Sequence, residues 1–236
     1  MDKYILEEGL KKWDLSYNEK ILEMFSLFSS LLKEGNEKMN LTAITDDVGI
    51  STKHFLDSLS PLSYLKVKEN AKILDIGTGA GFPGIPLKIL REDLDITLLD
   101  SLNKRIVFLG EVKNKLNLDN IELLHERAEI LGKNNSYREK YDYVFSRAVA
   151  SLKVLSEYAL PFLKVGGSFY ALKSSEIDEE IDEARSMIGN IGGKIEEIKE
   201  LEIPFTDLKR KIVEIKKIKK TPSEFPRNNK KIKGNS

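Results

Sequence analysis

The stretch Ile73-Leu74-Asp75-Ile76-Gly77-Thr78-Gly79-Ala80-Gly81 passes from a mostly apolar run into a loop with glycine at every second position. Such a run, closed by a glycine turn, reads as a buried strand. Alternate glycines let the backbone turn sharply and approach a ligand where a Cβ would obstruct it. The literal dinucleotide pattern G-x-G-x-x-G can be found in the register Gly79, Gly81, Gly84, so the loop alone is a weak signal. In dinucleotide binders, however, the first glycine follows the strand directly. Counting from Gly77, the third glycine position falls on Phe82. A carboxylate inside the strand, Asp75, would also repel a pyrophosphate. A sulfonium cofactor is cationic and has no phosphate, so an acidic strand end suits it. Asp75 then either holds the loop amides or reaches the methionyl ammonium group.

Downstream, short apolar runs alternate with helical ones, the signature of βαβ units and a mostly parallel sheet. Strands are expected at 72–76, 95–99, 121–125, 141–145, 168–173, 193–201 and 211–215, and helices at 83–91, 103–116, 152–163 and 176–188. Ile106, Leu109, Val112 and Leu116 form the buried stripe of the second helix, which Asn103 or Ser101 can cap. Asp100 ends the second strand, where an acidic residue accepts hydrogen bonds from ribose hydroxyls; as a helix N-terminal acid it also suits the helix dipole. After the third strand, Arg127-Ala128-Glu129 offers a backbone amide and a polar side chain to an adenine edge. Gly166-Gly167 supplies a tight turn before the fifth strand. This order of elements is that of a Rossmann-like α/β methyltransferase using S-adenosylmethionine.

Upstream, apolar residues from Asp2 to about Leu32 recur with helical spacing, including Ile21, Met24, Phe25, Phe28 and Leu31, and read as one amphipathic helix stopped by Gly35-Asn36. A second helical stretch is expected at 53–65. Trp13 and Met24 belong in that core. The chain thus divides into a helical appendage (1–65), a cofactor-binding domain (66–218) and a basic, flexible arm (219–236). From Lys216 onward there are eight Lys or Arg against one Glu in a chain of zero net charge, a segregation that suits a polyanionic partner or simply a solvated end. With 236 residues and no long apolar run or leader pattern, a cytoplasmic monomer without membrane or metal is expected.

The methyl acceptor is narrowed by exclusion. The chain has no cysteine, which removes the usual route to carbon 5 of a pyrimidine. The Asn/Asp-Pro-Pro-aromatic loop that commonly serves exocyclic amines is replaced by Ser146-Arg147-Ala148-Val149. Transfer to a ribose hydroxyl wants a lysine with carboxylates; Lys173 closes the fifth strand, but no Asp follows the fourth. A ring nitrogen such as guanine N7 carries its own lone pair and needs no catalytic residue, only proximity and orientation. Arg147 and Lys173 then suit guanine O6 and phosphate.

Seven stretches resemble the bacterial small-subunit ribosomal RNA guanine-N7 methyltransferases once named glucose-inhibited division protein B. They are Asn40-Leu41-Thr42, His54-Phe55-Leu56-Asp57-Ser58-Leu59, Asp75 through Pro86, Leu98-Leu99-Asp100-Ser101, Lys104-Arg105, Ser146-Arg147-Ala148 and Tyr170-Ala171-Leu172-Lys173. The resemblance implies a helical N-terminal appendage on the seven-stranded, mostly parallel sheet of a class I S-adenosylmethionine-dependent methyltransferase, and methyl transfer to N7 of one guanosine in 16S ribosomal RNA. It implies cofactor contacts from Gly77, Phe82, Ala128, Glu129 and Arg147, the last lying where it can serve cofactor or RNA. His54 and Asn40 fall at the junction with the appendage, His54 as a structural hydrogen-bonding group or an RNA contact. Lys104 and Arg105 start a helix whose dipole disfavours cations, so RNA phosphate or plain solvation accounts for them. His125 reads as structural. The competing functions are a nicotinamide-dependent oxidoreductase and a noncatalytic RNA-binding module.

Overall fold

The computed structural model describes residues 1–147 and 150–233. Its seven strands are β1 Lys72–Ile76, β2 Asp95–Asp100, β3 Ile121–His125, β4 Tyr141–Ser146, β5 Leu163–Ser174, β6 Gly193–Glu202 and β7 Lys209–Lys217. They form one sheet in the order β3-β2-β1-β4-β5-β7-β6, parallel except for β7, which runs antiparallel to both its neighbours. The order reverses beside β1, so the carboxyl ends of β1, β2 and β4 open a crevice of the kind that binds ligands in such sheets. Six strands lie within two residues of their expected bounds. β5 begins five residues early, at Leu163, with an irregular register against β4 around Tyr141 and Tyr143 and with Gly166 at φ 90.

The N-terminal run is two helices, α1 Lys3–Lys12 and α2 Glu19–Met39. Between them Asp14 takes a left-handed conformation (φ 54), and the Asn18 side chain accepts from the Ile21 amide to start α2. The apolar period continues across this break because both helices turn the same face to one core. Gly35 and Asn36 do not stop α2. Gly35 lies inside it, buried against Phe108, where a Cβ would come 2.7 Å from the ring. The helix ends at Asn40, whose φ of 51 is tolerated by asparagine better than by most residues.

The second helical stretch starts earlier than expected, at α3 Asp47–Gly49, capped by Asp46. It continues through a π-helical segment, Ile50–Leu56, and α4 Asp57–Leu59 to a 3₁₀ turn at Ser60–Ser63. The crossover helices are α5 Gly84–Leu90, α6 Asn103–Lys115, α7 Ala128–Leu131, α8 Leu152–Ala159 and α9 Asp178–Asn190. Leu109 and Val112 of α6 and Leu116 at its C-cap are buried and Phe108 joins them, while Ile106, expected in the same stripe, is only half-buried. Neither Asn103 nor Ser101 caps α6. No side chain caps α6; the Asp100 carboxylate instead fixes the turn before it, accepting from the Leu102 amide at 2.9 Å.

Phe25, Phe28 and Phe55 share one continuous core with Phe82, Ile85, Leu98 and Phe108, so the appendage packs directly onto one face of the sheet. Trp13 and Met24 lie against that core. α8 and α9 cover the opposite face. Part of the tail is held more closely than its composition suggests. Residues 221–227 are bound to the body by Arg138 and by an Arg227–Glu157 pair, and a short helix, α10 Asn229–Lys233, follows. Lys- and Asn-rich composition reads as solvated, whereas the partners that capture it lie some seventy residues or more away in sequence.

Candidate active site

The loop after β1 is built by its own hydrogen bonds. The Gly77 and Thr78 amides donate to Leu99 O, Gly81 and Phe82 to Thr78 O, and Ile85 to Gly81 O. Gly79 donates to Asp100 Oδ2 and Gly84 to Asp75 Oδ2, both at 2.9 Å. Positive φ at Gly77, Gly79 and Gly81 makes this possible. At Gly81 an added Cβ would stand 2.6 Å from Ile85, and at Gly84 2.2 Å from Leu98, whereas at Gly79 its nearest neighbour would be Gly77 O at 4.0 Å. Two glycines thus serve packing and one faces the ligand side. With these amides committed internally, the loop has no row of free donors for a pyrophosphate, which argues against a dinucleotide more directly than the register did.

A cavity of about 580 Å³ opens over this loop. One half is lined by Gly77, Thr78, Gly79, Asp100, Ser101, Arg105, Glu126, Arg127, Ala128 and Glu129, with Leu155 and Tyr158 of α8 closing it. The other half is lined by Leu41, Thr42, His54, Phe82 and Arg147. Its size is that of a pocket for a nucleoside-sized ligand. Gly77, Gly79, Phe82, Asp100, Ala128, Glu129, Arg147, Arg105 and His54 are therefore brought together as the sequence suggested.

Four expected site residues are not at the cavity. Asp75 is fully buried beneath the loop, accepting from Thr78 Oγ1 (2.7 Å) and Gly84 N; it holds the loop and does not face the ligand. Burial pushes its carboxyl up to about 6. Lys173 donates to Ala150 O and pairs with Glu180 at 2.7 Å, tying the end of β5 to α9 and to the chain after β4. Lys104 donates to Met39 O, and so meets a carbonyl at the end of α2. Asn40 is the left-handed cap of the same helix end. Sequence spacing points all four toward the crevice, but Asp75, Lys173 and Lys104 each meet a backbone group of another element, and Asn40 closes its own helix by donating to Asn36 O. Arg105, likewise, is accounted for by the buried Asp100 carboxylate at 3.1 Å. His125 meets Ser101 O at 3.2 Å.

Phe82, His54 and Arg147 form the link between sheet and appendage. The Phe82 and His54 rings stack at 4.5 Å and 9°, and the Arg147 guanidinium sits 4.9 Å from the Phe82 centroid. Arg147 donates to Lys53 O (2.9 Å) and Asp57 Oδ2 (3.0 Å), and meets His54 Nδ1 at 3.3 Å. Guanidinium has no acceptor, so His54 Nδ1 accepts and its Nε2–H donates to Thr42 Oγ1 at 2.8 Å. His54 is thus neutral. The π-helical segment presents both the Lys53 carbonyl and the His54 ring to Arg147. Asp57, fully buried, also takes Arg210 of β7 at 2.8 and 3.0 Å. Asp57, Arg210, Thr42, Leu155 and Tyr158 escaped the sequence reading. Asp57 and Thr42 lie within the family-like stretches and were visible there; the other three carry no local signal. Ala148 and Val149 lie outside the described residues.

Burial, and then the Arg147 charge, pull the His54 imidazole down to about 4. The unfolded chain, with a histidine near 6.5, binds more protons than the native state between these values. Stability therefore rises with pH across that window and is lost as pH falls through it. Relative to pH 7, the wild type is expected to give up about 2 kcal/mol more at pH 5 than His54→Gln does. Urea midpoints at the two pH values measure this, and equal losses would refute it.

Among the described residues no His, Cys, Asp and Glu cluster is arranged to hold a metal ion. No described helix is long and apolar enough to cross a membrane. Solved structures share the fold: TYW2 of M. jannaschii in complex with AdoMet gives a TM-score of 0.56 at 15% identity, over 75% of this chain and 80% of that one. A SAM dependent methyltransferase from Aquifex aeolicus gives 0.53 at 20% identity, over 80% of this chain and 97% of that one. Ribosomal RNA small subunit methyltransferase G of Clostridium novyi (strain NT) is 51% identical over 94% of this chain and 92% of its own length. That of Alkaliphilus metalliredigens (strain QYMF) is 47% identical over 95% and 94%. The profile of the family described as GidB, rRNA small subunit methyltransferase G, matches residues 21–213. A class I S-adenosylmethionine-dependent methyltransferase fold, a match over most of the length and near half identity to these relatives leave one conclusion: the chain belongs to the GidB family of rRNA small subunit methyltransferases.

Proposed function

We propose that this chain transfers the methyl group of S-adenosylmethionine to N7 of a guanosine in 16S ribosomal RNA. The observation that carries the position is the absence of an available base among the described residues in the Phe82–His54–Arg147 half of the cavity. His54 is neutral with both nitrogens engaged, and Arg147 is a cation paired to Asp57. A nucleophile there must bring its own lone pair and lose no proton to react, which a guanine N7 does. Gly77, Gly79, Asp100, Ala128 and Glu129 would hold the cofactor, with Asp100 on the ribose side. S-adenosylmethionine would supply the methyl group, its sulfur leaving as a neutral thioether, and the chain's part is to hold the guanine N7 about 3 Å from that methyl carbon and in line with the sulfur. Phe82 and His54 supply a flat apolar wall for a base. Arg147 places a cation beside O6.

Tritiated S-adenosylmethionine supplied with small ribosomal subunits, or with their RNA, is expected to label one guanosine. N7-specific strand cleavage followed by primer extension would place it. Absence of label with enzyme that binds the cofactor would overturn the assignment.

A further inference from the structure

The cavity wall made by α7 and α8 is held from outside by the chain's own tail. α7 has only four residues, too few to be stable without packing. Beside it, Arg138 donates to four carbonyls: Gly132 at 2.9 Å, directly after α7, and Thr221 at 2.8, Pro222 at 3.1 and Phe225 at 2.7 Å in the tail. Pro226 packs on the same turn, so that a Cβ at Gly132 would lie 3.1 Å from its ring. Phe225 rests on the cluster containing Ala128, Leu131, Leu152 and Leu155.

The second tie is to α8. Arg227 grips the Glu157 carboxylate with its backbone amide (2.7 Å), Nε (2.9 Å) and Nη2 (2.7 Å). Glu157 is 1% exposed and stands between Leu155 and Tyr158, which face the cavity. Neither Arg138 nor Arg227 lines the cavity, so both act through the wall.

We propose that residues 221–227 form a strap that positions the adenine-facing wall of the cofactor site, with Arg227 its positioning residue acting through Glu157. The proposal rests on the cofactor reading above. A carboxylate buried without its guanidinium must leave its place to find water, and the turn of α8 that carries Leu155 and Tyr158 moves with it.

Arg227→Gln is expected to raise the dissociation constant for S-adenosylmethionine about tenfold by calorimetry, and the KM for it alike. kcat at saturating cofactor and the KM for RNA stay at the wild-type values, and Arg227→Lys recovers part of the affinity. A folded Arg227→Gln with wild-type cofactor affinity overturns the strap. So does a raised KM for RNA with cofactor affinity intact, which would make the tail an RNA contact. Hydrogen exchange on the wild type is independent of any variant's folding: S-adenosylmethionine should slow exchange at 221–227 together with α8, and protection confined to α8 overturns the proposal. A wild-type protein that binds no S-adenosylmethionine would instead sink the cofactor reading itself.

Discussion

Gly77→Asp is expected to abolish methylation while leaving a folded protein that still binds RNA. Gly77 sits at φ 69, exposed at the floor of the cavity. Among L-residues, aspartate and asparagine enter this left-handed region most readily, at a cost of about 1 kcal/mol. In a domain of this size that lowers the melting temperature by roughly 2–4 °C. The ligand pays far more, because a side chain at this point stands where the cofactor must lie against the backbone, with Asp100 already beside it. Cofactor affinity should fall by at least about 100-fold, or about 2.7 kcal/mol. Calorimetry with S-adenosylmethionine, a thermal melt and an RNA-binding titration measure the three parts. If methylation survives, the glycine loop is not the cofactor site. If function in the cell persists although methylation is lost, the chain acts as an RNA-binding module.

Asp57→Ala should be the most destabilising single change at the site. The carboxylate is fully buried and receives Arg210 through two bonds and Arg147 through one. Removing it strands two guanidinium groups, Arg147 of them mostly buried, and a broken buried pair costs about 3–5 kcal/mol. For a chain of this length the melting temperature should drop by on the order of 10 °C. The loss is also functional, since Arg147 is held over Phe82 by the same carboxylate. Asp57→Asn keeps the shape and should cost less, while methylation falls in both. Urea unfolding and kcat/KM test the pair of effects together. A loss under about 1 kcal/mol would place the pair in the class of weak surface bridges and refute the network.

Most strand positions were legible because burial on both faces writes apolar runs, and the glycine loop wrote its own turn; the sheet order and the antiparallel β7 were not. β1 and β3 agree with their expected bounds, and the seven family-like stretches include most of the cavity lining. The breaks between helices were less legible. One apolar period spans Asp2 to Leu32, yet Asp14 and Asn18 divide it, because period reports which face is buried and not whether the backbone is continuous. Gly35 looked like a stop and proved to be the place where α2 meets Phe108.

Charged residues were the least legible. Lys173, Lys104 and Arg105 are cations near a crevice expected to meet RNA, yet each has an intramolecular acceptor already in place. Sequence shows a charge but not its partner. Asp75 makes the same point in reverse: its acidity led correctly away from a dinucleotide, but it works from beneath the loop, through Thr78 and Gly84.

By itself, then, the sequence determined the α/β class, the glycine loop that follows β1 and the family, because these depend on local backbone demands and on motif residues read in order. Tertiary structure alone decided that Arg147 shares Asp57 with Arg210, that His54 is neutral against Phe82, and that the tail grips α8 through Glu157. The charged pairings among these join residues 70 to 153 positions apart, and the energy of a charge depends on which partner and how little water the fold brings to it.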